Sequence, residues 1–589
     1  MKRLTRISQL IAVSLFLSTA IFAQNTFTHT VKLGETVYSI AKVYNITIQD
    51  IYNLNPNAQS GIRIGEALRI PQKGQPAGHH YHTIAKGETL YSLTNKYQIS
   101  AEALTSANPG LTADNFRAGQ VIIIPDSKQT ATVSNVKNAT TANPQKPKYR
   151  EMYTAKRKET IFGIARKFGL TTEELIAANP KMKAVDYKLK KGEVIAIPYP
   201  TSEQPQNTSS SQQPATETIN KVLSENKGPE KYTSLSVGVI LPFKKGNNES
   251  AKMIEFYQGI LLAIDKIRQE GISVEVYTYD SGTTAASMKQ VLNQEEGLSS
   301  TDVIFGPLYA SQIPVLSEYC QKRRIKMVVP FTGQFDAVFK NPYIYAANAP
   351  KSYQYGETYE LVKSRFASYN IIILDAMENN QNDKQFTDGL RNALKTQGQT
   401  TKSLSLYADE IAIAKAMSTT RKNLLVPTSA SIKTLNILFP KLKSFTEAYP
   451  QYEISMLGFP EWQTYTDTQL DYFYQFDTYI FSPFYRNPFA QKTNTFEKEF
   501  AQWFKKPLIN SFPRFGMMGY DLGYFFLKGL SQYGSSFDQK INKVKTIPLQ
   551  HDFTFTRCSN WGGFINNKIE LIHYTPNKNI EIIEFKNER

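Results

Sequence analysis

The sequence predicts a multidomain protein of α+β and α/β class, in which three small βααβ modules precede a bilobal α/β domain. One pattern occurs three times, at residues 28–71, 81–125 and 152–198. From residue 233 to residue 589, apolar strand-like runs alternate with amphipathic stretches, which is typical of parallel sheets covered by helices. A length of 589 residues also exceeds what one hydrophobic core usually serves.

Each copy of the repeat has the same order of local signals. In the first copy a short alternating strand precedes Gly34, which permits a tight turn, and Thr36, which can cap a helix. A second helix is predicted to begin after Thr47 and to end at Asn55, because a proline follows. A final strand ends at Ile-Pro. The repeat is therefore predicted to be a βααβ unit.

This pattern resembles the LysM module over the full length of all three copies. The resemblance implies binding of N-acetylglucosamine-containing glycans, chiefly bacterial peptidoglycan, in a shallow groove between two loops. One loop follows the first strand and the other precedes the second strand. The residues that the resemblance places there are Gly34, Glu35, Thr36, Val37, Ile62, Arg63, Gly87, Glu88, Thr89, Leu90, Asn115, Phe116, Glu159 and Thr160.

The third copy departs from the pattern. Lys158 stands where the other copies have the loop glycine, and Gly163 stands where they have Ser39 and Ser92. The third copy therefore matches the glycan-binding pattern less well than the other two. For every residue of the Gly-Glu-Thr loops, a purely structural role as turn or helix cap is an equally good interpretation.

The C-terminal region contains more strands than one ordinary sheet holds. Apolar runs such as LSVGVILPF, TDVIFGPLY, NIIILDAM and DTYIFSPF recur along it. Two α/β lobes are the more economical prediction.

The segments YQGILLAIDKI, VIFGPLYASQ, PFTG and GYDLGYFFLKGL make this region resemble the type-I periplasmic substrate-binding fold. The resemblance implies two lobes joined by three crossovers, expected near residues 349, 487 and 545, with a ligand in the cleft between them. Amino acid binders of the family use small hydroxyl residues and an acid there. The positions that match are Tyr309, Ser311, Thr332, Gly333, Glu461 and Trp462.

Two of these positions depart from the amino acid binders. Tyr309 replaces a smaller residue, and Gly333 follows where a second hydroxyl would stand, which weakens the case for an amino acid ligand. Ser311 and Thr332 can also be helix or turn caps, and Glu461 can be a solvated loop acid.

The N-terminus predicts export. Lys2, Arg3 and Arg6 precede an apolar run at 10–22, which indicates a signal peptide at residues 1–23 with cleavage after Ala20 or Ala23. No later apolar run is long enough to span a membrane. Polar Pro/Ser/Thr/Gln-rich stretches at 126–149 and 199–232 are predicted linkers, the second one disordered. We therefore expect a periplasmic protein associated with the cell wall.

The net charge of +17 is unevenly distributed. Residues 24–200 carry 23 Lys+Arg and 13 Asp+Glu, whereas the large domain is nearly neutral. The repeats thus have either a solvated basic surface or a field that favours anionic wall polymers. Predicted export and the lack of a recognised motif argue against nucleic acid as a partner.

Catalysis is not predicted. Two cysteines, Cys320 and Cys558, exclude a disulfide framework or a Cys-rich zinc site, and free thiols are the favoured interpretation. No HExxH, GxSxG or CxxC motif is present, so we expect no enzyme, no metal and no cofactor. The main hypothesis is a wall-bound protein that captures an amino acid, peptide or wall fragment. A scaffold that binds an envelope protein is the alternative, and a wall hydrolase is a minor one.

Overall fold

The computed structural model describes residues 26–73, 79–112, 115–126, 151–155, 160–168, 170, 172–183, 189–190, 192–198, 231–244, 246, 248–294, 296–377 and 381–584. The predicted signal peptide and most of the two predicted linkers lie outside these residues. The chain divides into two compact units. Unit 1 comprises Met1–Gly228, Asp336–Pro342 and Arg557–Gly563, and unit 2 comprises Pro229–Phe335, Tyr343–Thr556 and Phe564–Arg589.

Unit 1 contains three βααβ modules, as predicted, and in each the two strands pair antiparallel. The elements of the first module are β1 (Thr26–Thr30), α1 (Val37–Val43), α2 (Ile48–Leu54) and β2 (Ala67–Pro71). Those of the second are β3 (His79–Thr83), α3 (Leu90–Tyr97), α4 (Ala101–Ala107) and β4 (Val121–Pro125). Those of the third are β5 (Glu151–Thr154), α5 (Ile161–Lys167), α6 (Thr172–Ala178) and β6 (Val194–Ile197).

The predicted helix caps are confirmed where they are described. Thr36 forms a capping box with Ser39, and Thr47 forms one with Asp50. Ser100 accepts a hydrogen bond from the backbone N–H of Ala103. These caps satisfy N–H groups that have no partner inside the helix, so the module boundaries follow from local sequence.

One asparagine per module ties the second helix to the second strand. The side-chain amide of Asn108 donates to the carbonyls of Leu104 and Ile123, and its oxygen accepts from the backbone N–H of Ile123. Asn55 and Asn179 make the same three contacts in the other modules. The Asn-Pro pairs thus do more than end a helix, which sequence analysis did not predict.

Two short segments of later sequence belong to unit 1. The indole of Trp561 packs against Tyr44 and Tyr81, with ring centroids 6.1 and 5.5 Å apart. Asp336 accepts a hydrogen bond from the hydroxyl of Tyr38 at 2.8 Å and pairs with Lys42 at 2.8 Å. An aromatic cluster and an ion pair therefore join sequence-distant residues within this unit.

Unit 2 is built around two sheets of seven strands each. Its strands are β7 (Ser234–Leu241), β8 (Ser273–Asp280), β9 (Val303–Phe305), β10 (Lys326–Val329), β11 (Ile344–Ala346), β12 (Asn370–Asp375), β13 (Lys402–Ser405), β14 (Asn423–Pro427), β15 (Ile454–Gly458), β16 (Thr478–Ser482), β17 (Phe555–Arg557, which ends in unit 1), β18 (Phe564–Asn566), β19 (Glu570–Tyr574) and β20 (Ile580–Glu584).

The helices of unit 2 lie between these strands in the chain. They are α7 (Asn248–Gln269), α8 (Ala285–Gln294), α9 (Ile313–Arg323), α10 (Lys351–Arg365), α11 (Gln381–Lys395), α12 (Glu410–Ala416), α13 (Ile432–Ala448), α14 (Thr466–Gln475), α15 (Gln491–Phe504), α16 (Phe515–Tyr533) and α17 (Phe537–Lys540).

The strand order is the same in the first five strands of each sheet. The orders are β17-β18-β11-β10-β9-β7-β8 and β13-β12-β14-β15-β16-β19-β20. In both, the first strand lies between the second and the third, which is the doubly wound arrangement. β19 and β20 are antiparallel additions, so the second sheet is mixed. The predicted bilobal α/β class is confirmed.

The crossovers between the sheets correct one prediction. The chain leaves the first sheet after β11 and returns after β16, as expected from residues 349 and 487. The third passage was predicted near residue 545 but lies between β18 and β19. The prediction was wrong because β17 and β18 extend the first sheet before the chain crosses.

Helices α7 and α16 pack with their backbones in close contact. A Cβ atom on Gly259 would lie 1.9 Å from the carbonyl oxygen of Gly516, and one on Gly519 would lie 2.0 Å from that of Phe256. Both glycines come from the segments that carried the family resemblance. This close approach requires glycine at both positions.

Candidate functional site

The two loops of each module lie at the same end of its two-stranded sheet. Beyond β1 and β2, Val31 donates to the carbonyl of Glu66 and accepts from the N–H of Gly65, at 2.9 and 2.8 Å. Ile84 makes the same pair of bonds in the second module, and Ala155 makes it in the third. The sheet therefore places the Gly-Glu-Thr loop beside the loop that precedes the second strand.

The glutamate of the Gly-Glu-Thr loop is held by its own backbone and by a histidine. Oε2 of Glu88 accepts from the N–H of Ala85 at 2.8 Å and from Nε2 of His82 at 2.6 Å. Glu35 makes the corresponding bonds to Lys32 and His29, at 2.8 and 2.7 Å. Burial alone raises the pKa of Glu88, but Ala85, His82 and Lys96 together lower it to about 2.

A tyrosine completes this arrangement in both modules. The hydroxyl of Tyr97 lies 3.1 Å from Nδ1 of His82, and that of Tyr44 lies 2.7 Å from Nδ1 of His29. Because a carboxylate only accepts, Nε2 of each histidine carries the hydrogen. A Tyr-His-Glu relay therefore links the C-terminal end of the first helix of each module to the groove loop. No sequence motif indicated this role for the two histidines.

The third module replaces the relay with an aromatic pair. Tyr153 and Phe168 occupy the histidine and tyrosine positions, and their ring centroids lie 5.1 Å apart. Thr160 still caps its helix, since it accepts from the N–H of Gly163 at 3.0 Å. Glu159 lies outside the described residues. At these two described positions the third module therefore has an aromatic contact instead of the histidine–tyrosine hydrogen bond of the first two.

The remaining predicted groove residues occupy turn or surface positions. The backbone N–H of Arg63 donates to Glu66, and the guanidinium is exposed. Asn115 holds its loop by accepting from the N–H of Thr112 and donating to the carbonyl of Gly110. Ile62 and Phe116 are half-buried, whereas Val37 and Leu90 are buried in their module cores.

Unit 2 contains a cavity of about 600 Å³ at the carboxyl ends of the strands of its first sheet. Leu308 follows β9, Phe331 follows β10 and Asn348 follows β11. The start of α7 and the residues after β16 close it from other sides. Open α/β sheets bind ligands at this edge, where the order of the strands reverses.

The walls of the cavity are mainly apolar. The lining side chains are Met253, Leu308, Pro330, Phe331, Ala347, Pro483, Phe484, Pro513, Phe515 and Met518, with the polar Asn248, Glu249, Lys252, Asn348 and His551. No Ser, Thr or Tyr side chain is among these described lining residues. Nζ of Lys252 lies 5.6 Å from the ring centroid of Phe515.

None of the six cleft residues expected from sequence lines this cavity. Tyr309 and Thr332 each follow a lining residue directly, whereas Ser311 and Glu461 are exposed. A Cβ atom on Gly333 would lie 2.4 Å from the carbonyl oxygen of Asn348, so packing explains this glycine. Trp462 is 0% exposed and stacks on Phe473 in the core of the second sheet.

His551 also lines the cavity and is not among the six cleft residues expected from sequence. The buried carboxylate of Asp521 on α16 accepts from the backbone N–H groups of Leu549, Gln550 and His551, at 2.7, 2.8 and 2.8 Å. The imidazole stacks on Phe484 with ring centroids 4.7 Å apart. Burial lowers the pKa of His551 to about 3, so the ring is neutral.

Metal-ligating clusters and cysteine thiols can be assessed among the described residues. They contain no cluster of three His, Cys, Asp or Glu side chains that could hold a metal ion. Cys320 and Cys558 are free thiols, as favoured from sequence. Burial raises the pKa of Cys558 to about 12, which keeps the thiol protonated and poorly nucleophilic.

Comparison with known families decides the nature of the repeats. The LysM domain model matches residues 29–71, 82–125 and 153–198. The chain carries three LysM domains. Their matched boundaries agree with the described strands and helices of unit 1.

Several curated relatives share these LysM domains. The probable autolysin SsaALP of Staphylococcus aureus is 26% identical over 145 residues, which cover 23% of this chain and 53% of the relative. The N-acetylmuramoyl-L-alanine amidase sle1 of Staphylococcus epidermidis is 28% identical over 187 residues, which cover 30% of this chain and 53% of the relative. This chain therefore spans about half the length of these relatives, and the likeness is confined to the LysM domains.

Solved structures resemble the C-terminal part. A putative branched-chain amino acid ABC transporter protein of Rhodospirillum rubrum is 10% identical, with a TM-score of 0.44, covering 59% of this chain and 100% of that one. A substrate-binding protein of Desulfitobacterium hafniense in complex with Leu is 12% identical, with a TM-score of 0.36. The match covers 59% of this chain and 100% of that one. Because these scores are low, we assign the fold from its own strand order.

None of the described helices combines the length and the apolar character that a membrane span requires.

Proposed function

We propose that this protein is an exported, non-enzymatic, wall-associated binding protein. Its LysM domains hold N-acetylglucosamine-containing peptidoglycan glycans, and unit 2 captures a small ligand in its cavity. The observation that best supports the proposal is the position of that cavity at the carboxyl edge of a doubly wound sheet. The sharing of the LysM domains with an autolysin and an amidase supports the wall association.

The relay geometry supports glycan binding by the first two modules. The relay residues fix each Gly-Glu-Thr loop before any ligand arrives, so ordering that loop costs little on binding. The concentration of positive charge in residues 24–200 supports attraction to anionic wall polymers.

Co-sedimentation of the full chain with purified sacculi tests the wall-binding part. Arg63→Glu combined with Phe116→Ala alters exposed and half-buried groove positions in two modules. Arg69→Glu is the matched control, because it makes the same charge change on β2, away from the loops. We expect several-fold weaker retention for the groove variant only. Equal retention of both variants would refute binding through these grooves.

Thermal denaturation of the full chain with a panel of amino acids, muropeptides and organic acids tests ligand capture. A true ligand at 100 times its Kd should stabilise unit 2 by about 2.7 kcal/mol. Met253→Trp, which fills the cavity, should abolish the effect. If no member of the panel stabilises the protein, the capture function is wrong, whereas the wall-binding function is unaffected.

A second surface favours the scaffold function. A groove of about 810 Å³ lies among α7, α15, α16 and residues 545–549. Trp503 and Ile547 line it and are 56% and 76% exposed, beside four lysines and two acids. Exposed large apolar side chains of this kind mark protein interfaces. A partner here would present an apolar side chain flanked by carboxylates.

Photo-crosslinking in cells separates this second function from the first. A crosslinker at position 503 should trap one defined protein, and Ile547→Glu should abolish the adduct. A crosslinker at exposed position 322 is the control. Identical adducts from both positions would argue against a specific partner.

A further inference from the structure

We propose that the cavity of unit 2 selects a small aromatic or alkyl compound with a carbonyl or carboxylate acceptor, to which His551 donates a hydrogen bond from Nε2. This inference rests on the proposed capture function and adds the chemical class of the ligand. It differs from the amino acid expectation, because the ligand that fits these walls has no ammonium group.

The hydrogen-bond network assigns the tautomer of His551. The backbone N–H of Arg514 donates to Oε1 of Gln550 at 3.0 Å, which fixes the orientation of that side-chain amide. Nε2 of Gln550 then lies 3.0 Å from Nδ1 of His551. Because an amide nitrogen only donates, Nδ1 must accept, and the ring hydrogen is on Nε2.

The Nε2–H group has no hydrogen-bond partner among the described residues. His551 is 7% exposed and lines the cavity, so this N–H group can donate to a molecule bound there. An acceptor on a bound ligand would give it a hydrogen-bond partner. Asp521 holds the backbone of His551 and Phe484 stacks on its ring, so the donor is positioned before the ligand enters.

The apolar walls explain the rest of the ligand. Phe331, Phe484 and Phe515 present ring surfaces to the cavity, and Met253 and Met518 add flexible apolar side chains. Burying an ammonium group among such walls is unfavourable unless a carboxylate is matched to it, and Glu249 is the one carboxylate among the described lining residues. Lys252 at the rim supplies a cation that would favour a carboxylate over an amine.

Three probes that share a phenyl group test this chemistry on the full chain by isothermal titration calorimetry. They are 3-phenylpropionate, its neutral amide 3-phenylpropionamide, and L-phenylalanine, which differs from the first by its ammonium group. We expect 3-phenylpropionate and the amide to bind, and L-phenylalanine to bind at least tenfold more weakly. Binding of L-phenylalanine as tightly as 3-phenylpropionate would overturn the inference but leave ligand capture intact.

Two variants of His551 test the donor itself. His551→Phe keeps the stacking and removes the N–H, and it should weaken binding of the amide about tenfold. His551→Gln keeps a donor and should bind within a few-fold of the parent. Unchanged affinity in His551→Phe would overturn the role of Nε2.

If His551→Phe does not fold, the cavity-filling variant Met518→Trp replaces it. Unimpaired binding by Met518→Trp would place the ligand outside this cavity and overturn the inference. Failure of both acceptor-bearing probes to bind the parent would also overturn the inference, whereas ligand capture is judged by the wider panel above.

Discussion

Nε2 of His82 lies 2.6 Å from Oε2 of Glu88, and the same two atoms lie 2.7 Å apart in His29 and Glu35. The repetition of this pair in two modules indicates a shared constraint rather than a chance contact. In the third module an aromatic pair stands at the corresponding positions. The pair joins the first strand to the loop that we assign to the glycan groove.

Loss of the histidine donor should weaken the second groove. His82→Leu, in a chain that already carries Arg63→Glu, removes the bond that fixes Glu88 and frees the loop. We expect about fivefold weaker retention on sacculi, equivalent to about 1 kcal/mol. His82→Gln can still donate to Glu88 and should restore retention. Equal retention of the Leu and Gln variants would show that the relay does not position the groove.

The same variant should change the titration of Glu88. Its pKa of about 2 lies below the ordinary value of 4.5, so this carboxylate stabilises the module above pH 4.5 and loses that contribution as pH falls towards 2. Without His82 the pKa should rise. Carboxyl chemical shifts followed by NMR across this range would measure it, and an unchanged pKa would contradict the assignment.

The buried asparagine of the second module should be important for stability. Asn108→Ala removes three hydrogen bonds and leaves the backbone N–H and C=O of Ile123 without that partner. We expect a loss of about 2–4 kcal/mol in the free energy of unfolding of this module. Hydrogen exchange at the amide of Ile123 measures it. Asn95→Ala, at an exposed position of the same module, should have little effect.

Local signals explain which elements could be predicted. Helix caps, Gly turns and Asn-Pro pairs act within a few residues, so the modules were predictable, and long apolar runs revealed the inner strands of both sheets. β13 has the sequence KSLS and one buried residue, so it carried no such signal. His79 and His80 precede the predicted second module, which begins at residue 81, but pairing with β4 makes them part of β3.

The cavity was only partly predictable, because side-chain direction depends on distant contacts. The predicted cleft residues Tyr309 and Thr332 follow β9 and β10, whose ends border the cavity, but the side chains that line it are those of the neighbouring Leu308 and Phe331. His551 reaches the cavity because Asp521, 30 residues earlier in the chain, holds its backbone. No local pattern reports such a contact.

The close crossing of α7 and α16 should not tolerate a side chain. Gly519→Ala would place Cβ 2.0 Å from the carbonyl oxygen of Phe256, so the helices must separate. We expect a loss of about 1–3 kcal/mol in the stability of unit 2, measured by urea unfolding. Gly523→Ala on the same helix, where Cβ would lie 3.0 Å from that of Ala263, is the milder control. Equal effects would contradict the close-contact explanation.

Asp521 and His551 should make opposite contributions to the pH dependence of stability. Burial raises the pKa of Asp521 to about 7 despite three backbone N–H donors, and burial lowers the pKa of His551 to about 3. Between pH 4.5 and 6.5 the folded state keeps a proton on Asp521 that the unfolded chain releases, so this contribution falls as pH rises. The unfolded chain binds a proton at His551 that the folded state does not, so that contribution rises with pH.

In the parent, the two opposed slopes of the free energy of unfolding against pH should largely cancel. Single variants should therefore reveal each slope. Asp521→Asn leaves the histidine contribution, so the free energy of unfolding should increase between pH 4.5 and 6.5. His551→Gln leaves the carboxyl contribution, so it should decrease, in each case by up to about 2.7 kcal/mol over this interval. Urea unfolding of the full chain at both pH values, followed by near-UV circular dichroism, measures the two slopes. Slopes of the same sign in the two variants would contradict the burial of one or both groups, since only opposed shifts in pKa give opposed slopes.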